Sequence, residues 1–555
     1  MNPYVVPTLV VVTLVTVGIG LYGLRFARTT SDFLVASRSV SPAWNAAAIS
    51  GEYLSAASFL GVAGLVLKYG VDVLWYPVGF AAGYLALLLF VAAPLRRSGA
   101  FTLPDFCTVR LHSPGLRRLA TVFVVCIGCL YLVPQLQGAG LTLATVTGSP
   151  YALGAVVVGV VVTANVALGG MRAITFVQAF QYWLKLTALA VPVVFLLMQW
   201  QADGRPAVTP PEPTFAVATT VVVENDATLT LPDGTTEEVR AGTVLTYEPG
   251  DPAPQVSGVD ARHGLDWLLP GDPGAGDRGL FATYSLILAT FLGTMGLPHV
   301  LVRFYTNPDG ASARRTTLVV LALVGLFYLL PTLYGVLGRI YTPQLLMTGQ
   351  TDAVVLLLPE AALGGGTTGR LLGALVAAGA LAAFLSTSSG LLTSVAGVLF
   401  TDVLHGDTNG TARRGSVRDF RAATLLAASV PMALSLGVSG LDVSQVVGLA
   451  FAVAASSFCP LLVLGIWWRG LTDAGAAAGV LAGGGAAMLA VLMTVAGPPL
   501  SGWPAALLGQ PAAWTVPLAF TVMVVGSLLT RARVPADVGA TMLRLHAPEI
   551  ALKKL

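Results

Sequence analysis

The sequence predicts an all-α polytopic membrane protein on three observations. Of 555 residues 55% are hydrophobic, only 10% are charged, and apolar runs recur from end to end. A soluble domain of ordinary make-up does not carry so little charge. A run of about twenty apolar residues crosses the hydrocarbon core as a helix. Such runs fall near 4–25, 43–66, 73–95, 118–144, 150–168, 174–199, 280–302, 316–340, 371–400, 420–438, 443–467, 473–495 and 511–530, about thirteen in all.

The first run has no basic residue before it and no small-residue cleavage site after it, while Arg25 and Arg28 follow, so a retained helix is expected rather than a signal peptide. Cys107, Cys126, Cys129 and Cys459 show no metal-site spacing beyond one i, i+3 pair and read as small core residues.

With the N-terminus outside, the cytoplasmic loops hold Arg28 and Arg38; Arg96, Arg97, Arg110, Arg117 and Arg118; Arg172; Arg303, Arg314 and Arg315; Arg413, Arg414, Arg418 and Arg421; and Arg469. The tail adds Arg531, Arg533, Arg544, Lys553 and Lys554, as the positive-inside rule requires of a plasma-membrane protein with a cytoplasmic C-terminus. The other side holds residues 200–279, whose acidic residues exceed Arg205, Arg240, Arg262 and Arg278. Val221 to Val223, Thr228 to Leu231 and Thr243 to Tyr247 have strand composition, and Pro232-Asp233-Gly234 and Pro249-Gly250-Asp251 read as turns. A small β-rich extracellular insert is expected, either a decoration or a lid. Pro206, Pro210, Pro211 and Pro213, with Gly271, Gly274 and Gly276, suit linkers at its edges.

Two spans look broken. Ala46 to Tyr53 puts Glu52 beside Gly51 near mid-membrane, where a carboxylate normally faces a cavity or a partner. Gly293-Thr294-Met295-Gly296-Leu297-Pro298-His299 concentrates helix breakers, which free backbone groups or simply kink the helix. Each begins a set of five spans, the pattern of an inverted-repeat transporter with a midplane site. The segment Leu381 to Gly390 holds Ser386, Thr387, Ser388 and Ser389 in succession. Such hydroxyls either ligate a hard cation such as Na⁺ or bond the preceding turn and neighbouring helices.

On these stretches the chain resembles the sodium/solute symporter family, most closely its acetate and monocarboxylate permease branch. The likeness rests on Ala46 to Glu52, Gly169-Gly170-Met171-Arg172-Ala173 with Gln178, Phe291 to Phe304, Ala382 to Ser389, and Cys459 to Arg469 with Gly475-Ala476. It implies a LeuT-type 5+5 inverted-repeat core: an extra helix (1–30), first repeat (31–199), insert (200–279), second repeat (280–470), two further helices (471–530) and a tail (531–555). It also implies one co-transported sodium ion, held by carbonyls of Ala46 and Ile49 and by carbonyl and hydroxyl groups of Ala383, Ser386 and Thr387. Ser388 and Ser389 are left for packing or a second site.

Sugar-transporting relatives carry an aspartate after the Gly-Gly motif as part of a second sodium site, where this chain has Gln178. Two helical turns further along the same face is Lys185. It either holds an anion, stands in for a cation or carries a proton, or snorkels to the interface. A carboxylate substrate suits the N-terminal end of the half-helix after Ile49 or after Gly296. Glu52, Tyr53, Tyr131, Gln135, Gln137, Thr294 and His299 are the candidate cavity residues, or else ordinary interhelical hydrogen-bonders.

The expectation is sodium-coupled import of a small monocarboxylate of the acetate, propionate, pyruvate or lactate class. The alternatives are proton coupling through Glu52, His299 or Lys185, and a non-transporting sensor of the same fold, against which the short tail argues. No nucleophile–base set or metal cluster suggests an enzyme, and no organic cofactor, nucleic acid or obligate protein partner is implied; the partners are the monocarboxylate anion and membrane lipid.

Overall fold

The computed structural model describes residues 2–23, 40–207, 213–215, 218–223, 226–231, 233–257, 259, 261–262, 264–270, 276–404, 417–437, 443–498 and 500–549. Arg25, Arg28, Arg38, Pro210, Pro211, Pro232, Gly271, Gly274, Arg413, Arg414, Lys553 and Lys554, used in the sequence reading, lie outside the described residues.

Among the described residues 11 segments are long and apolar enough to cross a membrane. Two of them are double, the 42 residues Ala57–Ser98 and the 52 residues Tyr151–Ala202. At about 1.5 Å per residue the longer would run roughly 80 Å, against a hydrocarbon core of about 30 Å. Both contain an interruption, a 3₁₀ turn at Gly70–Leu74 and Gly170 at φ 59°, ψ −175°. Divided there, they bring the spans to the number expected from hydropathy.

Helix α1 (Val5–Gly23) precedes the first broken span, which comprises α2 (Pro42–Tyr53), a π turn at Ala57–Gly61 and α3 (Val62–Tyr69). Pro42 suits the first turn of α2, where its missing N–H costs nothing. The helix stops because Leu54 leaves helical geometry at φ −75°, ψ 86°. The helix therefore continues past Ile49, where the interruption was expected, and Gly51 stays within α2. Its missing Cβ makes room for the Gln178 carbonyl.

There follow α4 (Trp75–Ala86), α5 (Ala92–Ser98), α6 (Leu103–Leu111), α7 (Pro114–Thr147) and α8 (Tyr151–Ala202). The second broken span is α9 (Asp277–Gly296) and α10 (Pro298–Phe304), separated by Leu297. Pro298 cannot supply the amide that would continue α9, and it starts α10. Gly293 and Gly296 have no room for a Cβ because the Phe451 and Ala454 carbonyls lie against them. The remaining helices are α11 (Gly310–Tyr341), α12 (Gln344–Thr348), α13 (Val354–Leu363), α14 (Thr367–Val398), α15 (Val417–Gly437), α16 (Val443–Trp467), α17 (Asp473–Ala496), α18 (Gly502–Gly509), α19 (Ala512–Leu529) and α20 (Val538–His546). Helix α14, which carries the hydroxyl run, packs on α7, α8 and α2, while α9 lies between α4 and α16. Its small residues permit this close approach.

The insert forms two antiparallel sheets. Strand β1 (Thr219–Val222) pairs with β4 (Val244–Tyr247), and β2 (Ala227–Thr230) pairs with β3 (Thr236–Val239) and β5 (Gln255–Val256). Strands β1, β2 and β4 are the expected ones. The charged Thr236-Glu237-Glu238-Val239 gave no apolar signal, and β5 is too short to give one. The insert is tied to the bundle: Trp267 is buried and donates to Val66 O at 2.8 Å, and Arg262 pairs with Asp72 at 3.1 Å.

Several of the arginines assigned to loops on one side do meet at one end of the bundle. Arg96 donates to Pro308 O at 2.6 Å, Arg97 to His546 O at 3.1 Å and Arg110 to Gly465 O at 2.8 Å. Arg110 is buried within α6 rather than in a loop, and Arg303 departs further from the sequence reading. It is fully buried at the end of α10, drawn inside by an acidic partner. The cysteines are free thiols, Cys107 and Cys459 buried and the other pair half-buried.

Candidate functional site

The two breaks lie against each other. Tyr53, the last residue of α2, meets Thr294 of α9 through a 2.9 Å hydrogen bond between hydroxyls. The amide freed at Ala56 donates to Gln135 Oε1 of α7 at 2.9 Å. Gln135 thus completes the broken backbone, which a chain in lipid must do internally.

On one side of the breaks stands a buried ion pair. Arg303 Nε donates to Glu52 Oε2 at 2.6 Å, with neither side chain more than 1% exposed. The rest of the guanidinium is used as well. Nη1 donates to Thr175 Oγ1 at 3.0 Å and Nη2 to Gln178 Oε1. Gln178 Nε2 then donates to Ser386 O at 2.8 Å, which links the pair to α14. Glu52 lies where Gly390 of α14 has no side chain, since a Cβ there would occupy the space of the carboxylate.

Beside this network Lys185 is fully buried, so it does not snorkel. Its ammonium donates to Gly51 O, to Leu54 O at 2.7 Å and to Ser386 Oγ at 2.9 Å. An ammonium has three protons to donate, and these three oxygens take them. Ser386 Oγ in turn donates to Ala383 O at 3.1 Å, and Thr387 Oγ1 donates to Glu52 O at 2.6 Å. Neutral oxygens from the end of α2 and from α14 therefore surround a monovalent cation, and that cation is a side chain. Glu52 is the acid that acts on it electrostatically.

Of the residues proposed for sodium, Ser386, Thr387 and Ala383 join this cage, whereas Ala46 and Ile49 lie buried earlier on α2. The α2 carbonyls bonded here belong to Gly51, Glu52 and Leu54, because the helix unwinds later than expected. For the same reason the half-helix expected after Ile49 begins beyond Ser55. Ser388 Oγ, both His299 ring nitrogens, Gln135 Nε2 and Glu52 Oε1 are buried without a hydrogen-bond partner among the described residues. Each carries unused capacity of the kind a polar ligand takes up. His299 lies edge-on to Tyr131 at 5.3 Å, and Tyr131 lies 5.9 Å from Phe451. Tyr53 meets Tyr84 at 4.7 Å and Phe80 at 5.6 Å, so the breaks carry an aromatic lining. Gln137 is buried further along α7.

Arg303, Thr175 and Asn45, which donates to Arg303 O at 3.2 Å, were not among the sequence candidates. Arg303 was detectable: Pro298-His299-Val300-Leu301-Val302 is too apolar for a loop, and a mid-membrane Glu52 calls for a cation.

A family model described as the sodium:solute symporter family matches residues 33–228 and 268–483. The chain belongs to this family. It is 30% identical over 546 residues to a monocarboxylic acid transporter of Corynebacterium glutamicum, covering 94% of this chain and 90% of that protein. It is also 29% identical over 523 residues to YwcA, an uncharacterized symporter of Bacillus subtilis, covering 93% and 92%. Among solved structures, a Na⁺-coupled sialic acid symporter in a substrate-bound outward-open state is similar, with a TM-score of 0.66 at 13% identity, covering 95% of this chain and 97% of that one. Mhp1, a nucleobase-cation-symport-1 family transporter in a closed conformation, follows with a TM-score of 0.53 at 13% identity, covering 93% and 100%. The fold of this family member is the LeuT-type inverted repeat.

Proposed function

We propose that this symporter carries a small monocarboxylate of the acetate, propionate, pyruvate or lactate class into the cell together with Na⁺. The observation that carries the reading is a charge count at the breaks. Two buried basic side chains, Lys185 and Arg303, face the carboxylate of Glu52, so with Lys185 held as the ammonium that its three acceptors suit, one positive charge is uncompensated there. A buried unpaired charge is costly, and one monovalent anion removes it. The unpartnered His299 and the aromatic lining beside it suit a small anion with an apolar tail. The name of the Corynebacterium relative agrees with that substrate class.

Sodium coupling follows the family, and the cage of Ser386, Thr387 and nearby carbonyls has the oxygen ligands that a hard monovalent cation prefers. The engaged Lys185 ammonium favours a second reading, in which a proton on that amine is the coupling ion. Radiolabelled acetate uptake into proteoliposomes, with Na⁺ and pH gradients imposed separately, distinguishes them. Uptake driven by the Na⁺ gradient alone is expected; uptake driven only by the pH gradient selects the second reading, and uptake under neither removes the substrate assignment. The arginine-rich end is assigned to the cytoplasm and the insert to the outside.

A further inference from the structure

The position of Lys185 bears on how the cation site works. Its ammonium takes up Ser386 Oγ and the Gly51 and Leu54 carbonyls, and Ser386 is the hydroxyl that the sodium assignment needs. A hydroxyl oxygen that accepts from an ammonium while donating to Ala383 O at 3.1 Å keeps a single lone pair, which a metal ion could use only beside the ammonium itself. Two monovalent cations a few ångströms apart in a low-dielectric interior would also repel each other by several kcal/mol or more. We propose that the cage holds one cation at a time and that the Lys185 ammonium is a tethered competitor of Na⁺, which must leave Ser386 before Na⁺ enters. The proposal rests on the reading that the Ser386–Thr387 region is the sodium site.

The surroundings permit such an exchange. Lys185 is held by neutral oxygens and not by a carboxylate at hydrogen-bond distance, so replacing the ammonium with Na⁺ leaves the cage with the same unit of charge. Glu52 acts on Lys185 electrostatically, but its own hydrogen bond is to Arg303, at 2.6 Å. Of the other helices packed on α8, α7 carries Arg117 and Arg118 in its first turn, α11 carries Arg314 and Arg315 near its start and Arg339 near its end, and α13 carries Glu360. Competition of this kind would also give a route to coupling. An anionic substrate that draws the ammonium out of the cage raises the affinity for Na⁺, and by linkage Na⁺ raises the affinity for the anion by the same factor.

The test needs no substrate. Na⁺ binding to the purified protein is read from the shift in melting temperature at constant ionic strength, with choline as the replacement cation. Lys185→Met and Lys185→Gln remove the competing charge, and the glutamine keeps a donor for the Leu54 carbonyl should the methionine variant fail to fold. Each is expected to lower the half-saturating Na⁺ concentration at least tenfold, whereas Lys185→Arg, still cationic, is expected to gain nothing. A wild type that shows no Na⁺ shift beside neutral variants that do is the limiting form of the same result. Unchanged or weaker Na⁺ binding in the neutral variants, or no Na⁺ binding in any of the proteins, overturns the proposal. Failure of acetate uptake with the competition intact would remove the substrate reading alone.

Discussion

Lys185 and Arg303 are both buried at the junction of the two broken spans, and they are accommodated in different ways. Arg303 has a carboxylate at 2.6 Å and two further side-chain acceptors, which match the fixed fork of a guanidinium. Lys185 has two backbone carbonyls and one hydroxyl, and no carboxylate at hydrogen-bond distance among the described residues. A guanidinium paired with its own anion joins the parts of the protein, because separating the two leaves a bare charge in the interior. An ammonium solvated by dipoles sits in the kind of cage that any small cation can occupy. The difference fits a structural role for Arg303, holding α10 on α2, and the proposed exchange of ions at Lys185.

Breaking the first half of this comparison should have the largest effect. Arg303→Met strands Glu52 and is expected to cost about 3–5 kcal/mol of stability, read from unfolding of the purified protein. Glu52→Gln combined with Arg303→Met should recover much of that loss. Simple additivity of the two single changes would mean that the pair is not a unit. Gly390→Ala attacks the same pair from α14, since its methyl group would take the space of the Glu52 carboxylate. Loss of uptake is expected there, beside near-normal behaviour in Gly325→Ala, where nothing lies within 4 Å of the added carbon.

The second half is tested at the cage. Ser386→Ala with Thr387→Ala removes both side-chain oxygens and should raise the Na⁺ concentration for half-maximal uptake about tenfold or more, a hydrogen bond to a charged group being worth about 1.5–3 kcal/mol. Unaltered sodium dependence in a normally inserted protein would move the ion elsewhere. A smaller effect serves as a control. Asp309 caps α11 through a 2.7 Å bond from the Ser312 amide, and that bond holds its carboxyl below the usual range. Asp309→Ala should therefore cost about 1 kcal/mol without touching sodium dependence. Because the folded value is depressed, the cap's contribution is complete above the unfolded pKa and fades as pH falls through the folded one. Unfolding midpoints of wild type and variant should converge in acid. The smallest effect concerns charge. One Na⁺ with one monocarboxylate moves none, so an inside-negative potential without a pH gradient should barely change steady-state accumulation. A rise approaching tenfold per about 60 mV would mean one extra positive charge per cycle, and its disappearance in Lys185→Met would assign that charge to the lysine.

Hydropathy alone determined the helical membrane architecture, since runs of about twenty apolar residues have few other stable states. The breakers around Gly293–Pro298, the unusual Glu52 and the hydroxyl run at Ser386 marked the helices that build the site. The sequence could also say that Lys185 was deep, but not whether its four-carbon stem would reach the interface or turn inward. That depended on where α2 unwinds, because the carbonyls of Gly51 and Leu54 become acceptors for it only at a helix end. Arg303 was misjudged for a related reason. Short of a paired anion an arginine belongs in a loop, and its partner lies 251 residues away on the other broken span. Local pattern decides which segments enter the membrane, but the balance of buried charge is settled between segments. Only the packing of the two repeats against each other brings Glu52 to Arg303 and leaves Lys185 among neutral oxygens.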